Sequence, residues 1–305
     1  MTQIPFMTPF TWLWILFTVL GAGGQVVRNA MQRGLTAKLG TLGATHIRFL
    51  FGFPFSLIFL GIILAATGDR LSWPQSGFWP WLVTGGMAQI LGTALMLAAM
   101  NERSFVVTTA YLKTEAIQAA IFGFIFLADR LTALKVIAII IATVGVIVTA
   151  IRPGAAKGFA NLRPTLLGLM AASFFALSAV GYRGAILNVT GTSFVTAASL
   201  TLVATLLMQS IVLSAWLIVR NPGTMTAIFR EWKPSMFAGF MGAFASLFWF
   251  LAFALTAAAN VRTLALVEVL FAQGIAYYSM KQPISLSELG GIALILIGVA
   301  LLVAG

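Results

Sequence analysis

Residues 136–151 read VIAIIIATVGVIVTAI, and residues 290–305 read GGIALILIGVALLVAG. Neither stretch carries a charge, and neither alternates apolar with polar positions as a strand of a membrane barrel does. Both are continuous apolar runs, and at 1.5 Å per residue a helix of about twenty such residues crosses the hydrocarbon of a bilayer. Hydrocarbon offers no water to backbone N–H and C=O groups, so a spanning chain bonds them internally, as helices or as a closed barrel. The unbroken runs select helices. The same pattern pervades the chain: of 305 residues 60% are hydrophobic and only 8% charged, against roughly a quarter charged in a soluble domain. The sequence predicts an all-α integral membrane protein.

Runs of this kind predict ten transmembrane helices, at 10–28, 41–66, 78–100, 104–127, 132–151, 164–187, 193–219, 235–257, 261–280 and 285–304. The breaks carry helix-stopping or polar residues: GDRLSWPQ after the second, RPGAAKGFANLRP after the fifth, RNPG and REWKP between the seventh and eighth. None is long enough for a folded domain. MTQIPFMTP at the start lacks a basic n-region and the first run has no clear cleavage site, so it reads as a retained first helix. With no cysteine, disulfides and thiolate ligands are excluded.

A net charge of +11 would point to nucleic acid in a soluble protein. Here the basic residues are scattered over short interhelical loops, which reads as membrane topology and not as a nucleic-acid surface. Eleven Lys and Arg fall on the odd-numbered loops, among them Arg28, Arg103, Arg152, Lys157, Lys233 and Lys281. Five fall on the other face, Arg70, Arg130, Lys135, Arg183 and Arg262, while Arg48 and Lys113 lie inside spans. The positive-inside rule makes the richer face cytoplasmic and puts both termini outside.

The chain also repeats itself. YLKTEAIQAAIFGFIFLADRLTALKVIAIIIATVGVIVTA, 111–150, aligns without a gap on LALVEVLFAQGIAYYSMKQPISLSELGGIALILIGVALLV, 264–303. Glu115 and Glu268 are 153 residues apart, as are Gly145 and Gly298; Arg28 and Arg183 match at 155. This predicts two five-helix repeats, 1–153 and 154–305, joined in one transmembrane domain. Five is odd, so consecutive copies enter the membrane from opposite sides and the repeat is inverted, an architecture that secondary transporters use with a solute site between the repeats.

LADRLTALKVIAIIIATVGVIV and KQPISLSELGGIALILIGVALL, closing each half, and RFLFGFP at the second helix resemble the drug/metabolite transporter superfamily, in its EamA-type branch. The resemblance covers nearly the whole chain. The fourth helix in that family usually leads to an L-G-E-R-L-like turn, where this chain has Asp129 and Gln282; Ala116 and Val269 stand where a proline is common. The resemblance implies export of amino acids or related metabolites across a bacterial cytoplasmic membrane, with the aromatic amino-acid exporters of the YddG type as the preferred comparison. A multidrug or nucleotide-linked carrier of the same superfamily, and a non-transporting scaffold, stay open.

An ionisable residue in mid-bilayer costs about 2.5–3.5 kcal/mol on insertion scales, so it faces a cavity or a partner. Glu115 and its repeat mate Glu268 are the leading candidates for binding a substrate ammonium or a proton, with pairing to Lys113 or Arg262 as the structural alternative. Lys113 and Glu115 are two apart and do not share a helix face. Tyr111, Glu115 and Gln118 form a polar face of the fourth span. Gln89, Thr93, Met96 and Met100 form a stripe of the third, whose mates at 153 are Gly242, Ser246, Trp249 and Phe253. One wall thus offers hydrogen bonds and the other, through Trp249 and Phe253, aromatic surface, as a large neutral side chain requires. Arg28 and Arg183 could receive a carboxylate or meet lipid phosphates. His46 reads as a capping or interfacial residue, and Trp12, Trp14, Trp73, Trp79 and Trp81 as interfacial anchors.

Enzymatic chemistry finds no support: there is no histidine cluster for a metal, no histidine beside a serine, and GAGGQ at 21–25 follows an apolar helix and not a strand. Its glycines read as close helix contact. The sequence predicts no enzyme, no cofactor and no metal. The partners expected are a small-molecule solute, the lipid bilayer and, through a glutamate, protons.

Overall fold

The computed structural model describes residues 12–102, 111–150, 162–270 and 286–305, and every regular element among them is helical. The helices are α1 (Leu13–Leu50), α2 (Gly52–Thr67), α3 (Phe78–Glu102), α4 (Glu115–Leu127), α5 (Ala133–Ala150) and α6 (Leu162–Leu187). They continue with α7 (Phe194–Arg220), α8 (Pro222–Arg230), α9 (Trp232–Leu255), α10 (Ala258–Leu264) and α11 (Leu286–Ala304). Lys38–Thr67, Thr165–Leu187, Phe194–Arg220, Trp232–Leu255 and Leu286–Ala304 are each long and apolar enough to cross a bilayer. The molecule is an integral membrane protein. Of the expected spans, residues 10–11, 104–110, 151, 271–280 and 285 lie outside the described residues, as do Arg103, Arg152, Lys157, Lys281 and Gln282.

Two expected breaks are helical. Residues 29–39, read as a loop, continue α1, because RNAMQRGLTAK holds good helix formers and no proline. The break comes at Gly40, whose φ of 65° no side chain tolerates easily. RNPG opens α8, with Pro222 in its first turn, where a missing N–H costs nothing.

The packing is ordered by the repeat. At an offset of 153, α3 corresponds to α9 and α5 to α11, while α1 corresponds to α6. The most extensive pairings are α3 with α6, α1 with α9, and α5 with α11. Exchanging the repeats turns the first pairing into the second and leaves the third unchanged. The seams are made of small residues because helices in hydrocarbon gain no hydrophobic drive from one another and associate through close backbone contact. A Cβ on Gly181 would stand 2.7 Å from the Cα of Gly85 across α3 and α6. On α1 and α9, Gly24 faces the Cβ of Ala245 at 3.2 Å.

The α5–α11 seam shows the direction of the pairing. A Cβ on Gly291 would lie 2.6 Å from the carbonyl oxygen of Gly145, and one on Gly298 would lie 2.8 Å from that of Ala138. As α5 advances from 138 to 145, its contacts on α11 retreat from 298 to 291, so the helices run antiparallel. Gly145 and Gly298 are repeat mates, as are Ala138 and Gly291, so the two contacts are equivalent and the seam is self-complementary in the manner of a two-fold interface.

Gly290 and Gly291 are neighbours with opposite surroundings: a Cβ on Gly290 meets nothing within 4 Å. Gly291→Val should therefore lower the thermal midpoint in detergent by the equivalent of about 1–3 kcal/mol, the usual cost of overpacking. Gly290→Val should leave it nearly unchanged. Equal midpoints for the two variants would refute the seam.

Candidate functional site

Both glutamates follow a loosened turn. The α-helical hydrogen-bond ladder is interrupted by a turn at Lys113–Thr114, where Thr114 N–H bonds the carbonyl of Tyr111 at 3.1 Å, and α4 starts at Glu115. In the other repeat α10 tightens into a 3₁₀ turn, Ala265–Val267, and Glu268 follows. These turns occupy repeat-equivalent positions. Short 3₁₀ segments inside longer helical runs often mark hinges and functional sites.

There the charges cross. Lys113, of the first repeat, pairs with Glu268 of the second. Arg262, of the second, places Nε 2.8 Å from Oε1 of Glu115 of the first, a charge contact whose angle falls short of a hydrogen bond. Gln25 of α1 donates from Nε2 to the other Glu268 oxygen at 3.1 Å. All four charged side chains are less than a fifth exposed. With Gln25, Leu112, Ala116, Ala265 and Leu266 they line a cavity of about 40 Å³. A water molecule has about 30 Å³ in the liquid, so the space is of water size.

Arg262 extends the site to the aromatic wall. Its guanidinium carbon lies 5.3 Å from the Trp249 ring and 5.4 Å from the Phe253 ring, within cation–π range. Trp249 is buried against Gly21, where a Cβ would come 3.1 Å from the indole, and Phe253 is buried too. The GAGGQ stretch thus allows close helix contact and also delivers Gln25 to the site.

The remaining expected residues gather elsewhere. Tyr111 bonds Thr165 at 2.8 Å and Gln118 bonds Ser173, both on α6, and neither lines the cavity. Gln89 accepts from Tyr182 at 2.9 Å and from Gln209 at 2.8 Å, and Gln209 also donates to the Gly86 carbonyl at 3.1 Å. This neutral network joins α3, α6 and α7. Thr93 turns back to the Gln89 carbonyl, and Met96 is half-buried one turn on; neither is among the cavity residues. The polar stripe and the charged cavity are therefore separate places.

Arg28 and Arg183, expected to meet a carboxylate or lipid phosphate, are turned inward. Arg183 donates to the carbonyls of Phe253 at 2.7 Å and Thr256 at 2.6 Å and pairs with Asp129 at 3.3 Å, tying the ends of α9 and α4 to α6. Arg28 is buried with its Cδ against α9 at Gly242. Removing both, together with Arg262 in the cavity, from the loop counts leaves ten basic residues against three, so the bias keeps its direction. His46 is wholly buried and meets Ser214 of α7 at 2.9 Å, so it is a helix–helix contact and not an interfacial residue. Trp12 and Trp79 are exposed at helix ends, Trp73 is exposed in the loop before α3 and Trp14 is half-buried, whereas Trp81 packs on Gly184.

Comparison with known proteins adds the family. Residues 9–151 and again 162–304 match the EamA-like transporter family, the two matches starting 153 residues apart. The chain belongs to the EamA-like transporter family. It is therefore a membrane transporter of the drug/metabolite transporter superfamily. No curated protein matches it. A protein of known crystal structure shares the fold at a TM-score of 0.70 over 95% of both chains, with 14% identity.

The two glutamates of this EamA-like transporter and their possible partners Lys113 and Arg262 were legible in the sequence, but which cation meets which glutamate was not. Lys113 and Arg262 entered only as possible structural partners, and Gln25 and Arg48 were passed over, although each is a polar residue inside an apolar span and that signal was available.

One tie lies at the membrane surface. Asp69, in the loop after α2, accepts from Ser193 Oγ at 2.5 Å, Thr196 Oγ1 at 2.7 Å, Thr192 Oγ1 at 3.1 Å and the Ser193 backbone N–H at 3.1 Å. These bonds, with those from Ser193 foremost, hold its carboxyl down to about 2 from the usual 3.8. A depressed carboxyl contributes stability that is complete above its unfolded pKa and is lost as pH falls through the folded one. The midpoint difference between wild type and Asp69→Asn should thus be constant above about pH 5 and shrink between about pH 4 and 2. A difference that does not vary with pH would show the tie to be independent of charge.

The ion pairs make a sharper prediction. Removing one member of a buried pair strands the other charge, at about 3–5 kcal/mol, whereas neutralising both is close to neutral. Lys113→Met should strongly lower the thermal midpoint, and adding Glu268→Gln should restore most of the loss. Additive effects in this cycle would mean that the two side chains do not interact.

Proposed function

We propose that this transporter exports amino acids or related small metabolites, with large neutral or aromatic side chains the best fit, by alternating access between two inverted five-helix repeats. The repeats are 1–153 and 154–305, the spans number ten, and the membrane is the bacterial cytoplasmic one with both termini outside. The observation that carries this reading is the crossed pair of ion pairs at the repeat boundary. A zwitterion brings one charge of each sign, and the cavity offers both: Glu115 and Glu268 for an ammonium, Arg262 and Lys113 for a carboxylate. Trp249 and Phe253 stand behind Arg262 for an apolar side chain. Tyr111, Gln118, Gln89 and Met96 support from a step away, and Arg28 and Arg183 brace the helices that carry the site.

Inversion is supported by the antiparallel, self-complementary α5–α11 seam. Alternating access is supported by scale, since ligand sites usually hold about 300–1,000 Å³ and this cavity is far smaller, so binding requires the repeats to part. The turns before the glutamates are the places to bend, as discontinuous helices are in other secondary transporters. A solute charge replacing one partner of an ion pair supplies the link between binding and opening. Protons exchanged at a glutamate are the simplest energy source.

Counterflow of labelled large neutral amino acids into proteoliposomes tests the reading. Glu115→Gln keeps shape but removes the charge, and should slow exchange by about tenfold or more, the weight of one charge-assisted hydrogen bond. Glu268→Gln should act less on binding and change the pH dependence. Wild-type exchange by Glu115→Gln at every pH would return both glutamates to a structural role.

A further inference from the structure

Between α7 and α9 the chain doubles back through the short helix α8, which packs on α1, α7 and α9. Because α7 and α9 are each long and apolar enough to cross the bilayer, α8 lies at its surface. The inner face of α8 is fixed. Ile228 is wholly buried in a cluster with Leu39 of α1 and Ala238 of α9, and a Cβ on Gly43 would stand 2.9 Å from Cγ2 of Thr224.

The outer face is exposed and of mixed chemistry. Phe229 is 56% exposed, and Trp216 and Trp232, just before and just after α8, are 52% exposed each. Arg220, Arg230 and Lys233 are exposed beside them. The Arg220 guanidinium lies 5.3 Å from the Trp216 ring, and the Lys233 ammonium 5.8 Å from the Trp232 ring. Nothing acidic on these elements balances the cations: α1, α7, α8 and α9 contain no Asp or Glu, and Glu231, between α8 and α9, is paired with Lys38 at 3.0 Å.

Water would leave the three rings bare, and hydrocarbon would strand the three cations. The headgroup layer of a bilayer satisfies both, since aromatic rings settle there and anionic phosphates meet the charges. We propose that α8 and its flanks form a docking surface for anionic phospholipids, with Arg220, Arg230 and Lys233 for the phosphates and Trp216, Phe229 and Trp232 seated among the glycerol backbones. Because α8 rests on α1 three residues past the Gly40 break, lipid bound there braces that break and stabilises the fold. The surface is separate from the charged cavity and does not depend on the transport reading.

The test titrates phosphatidylglycerol or phosphatidylcholine, with the same short acyl chains, into the whole purified chain in an uncharged detergent and follows the thermal midpoint. Phosphatidylglycerol should reach its half-maximal shift at a concentration at least about tenfold lower than phosphatidylcholine, since each basic residue near an anionic surface is worth about fivefold in affinity. Combining Arg220→Gln, Arg230→Gln and Lys233→Gln should raise the phosphatidylglycerol half-point by about a hundredfold. Arg70→Gln with Arg130→Gln, in other interhelical loops, should leave it unchanged. Equal half-points for the two lipids in the wild type would overturn the proposal, and that comparison needs no variant to fold. An equal rise in both sets of variants would overturn it too, by assigning the preference to net charge alone. A midpoint shift produced by glycerol phosphate in place of the lipid would replace the lipid surface with a site for a free anion.

Discussion

A charge removed from water must find its opposite, and in this protein it finds it in the other repeat. Glu115 is held by Arg262 and Glu268 by Lys113, so neither repeat neutralises its own glutamate. The repeats are thereby joined at their centre by electrostatics, while the seams around that centre are joined by contact. A buried ion pair is a weak source of stability, because desolvation roughly cancels the attraction. That weakness suits a transporter. An interaction near balance can be exchanged for a similar one with a solute at little net cost, whereas a strong one would hold the molecule shut.

The seams follow from the solvent. Lipid tails are as apolar as leucine, so packing must supply what water supplies to a soluble core. Glycine and alanine line the α3–α6, α1–α9 and α5–α11 contacts, and backbones approach until a single added carbon would collide, as at Gly181 and Gly291. Large apolar side chains such as Ile62, Phe124 and Ile125 are left exposed, which in a bilayer means facing lipid.

Symmetry and its violation have separate roles. The equivalent contacts of Gly145 and Gly298 and the equivalent glutamates are what duplication supplies. The cations are not duplicated: the mate of Lys113 is Leu266 and that of Arg262 is Thr109. Likewise the stripe of Gln89, Thr93 and Met96 has become Gly242, Ser246 and Trp249. On the second wall Arg28 and Arg48 lie against Gly242, and Arg262 lies over Trp249.

Apolar run length, the helical class, the offset of 153 and the pair Glu115/Glu268 were legible in the sequence, because each depends on local composition or on comparison of the chain with itself. Even there, local signals misread residues 29–39 and Pro222–Arg230 as loops, since polar residues at a helix end resemble a break when the neighbours are unknown. Partner choice was not legible. Lys113 stands 155 residues from Glu268 and Arg262 stands 147 from Glu115, and periodicity says which face a side chain takes but not which helix lies opposite. Tyr111, one helical turn before Glu115, was separated from it by a turn at Lys113–Thr114, and Gln89 was drawn to Tyr182 and Gln209. The sequence by itself determined what the bilayer demands of a chain, because that demand acts on each segment alone. Only the tertiary structure decided which charges meet, because a buried charge is satisfied by whatever the packing of distant helices brings within reach.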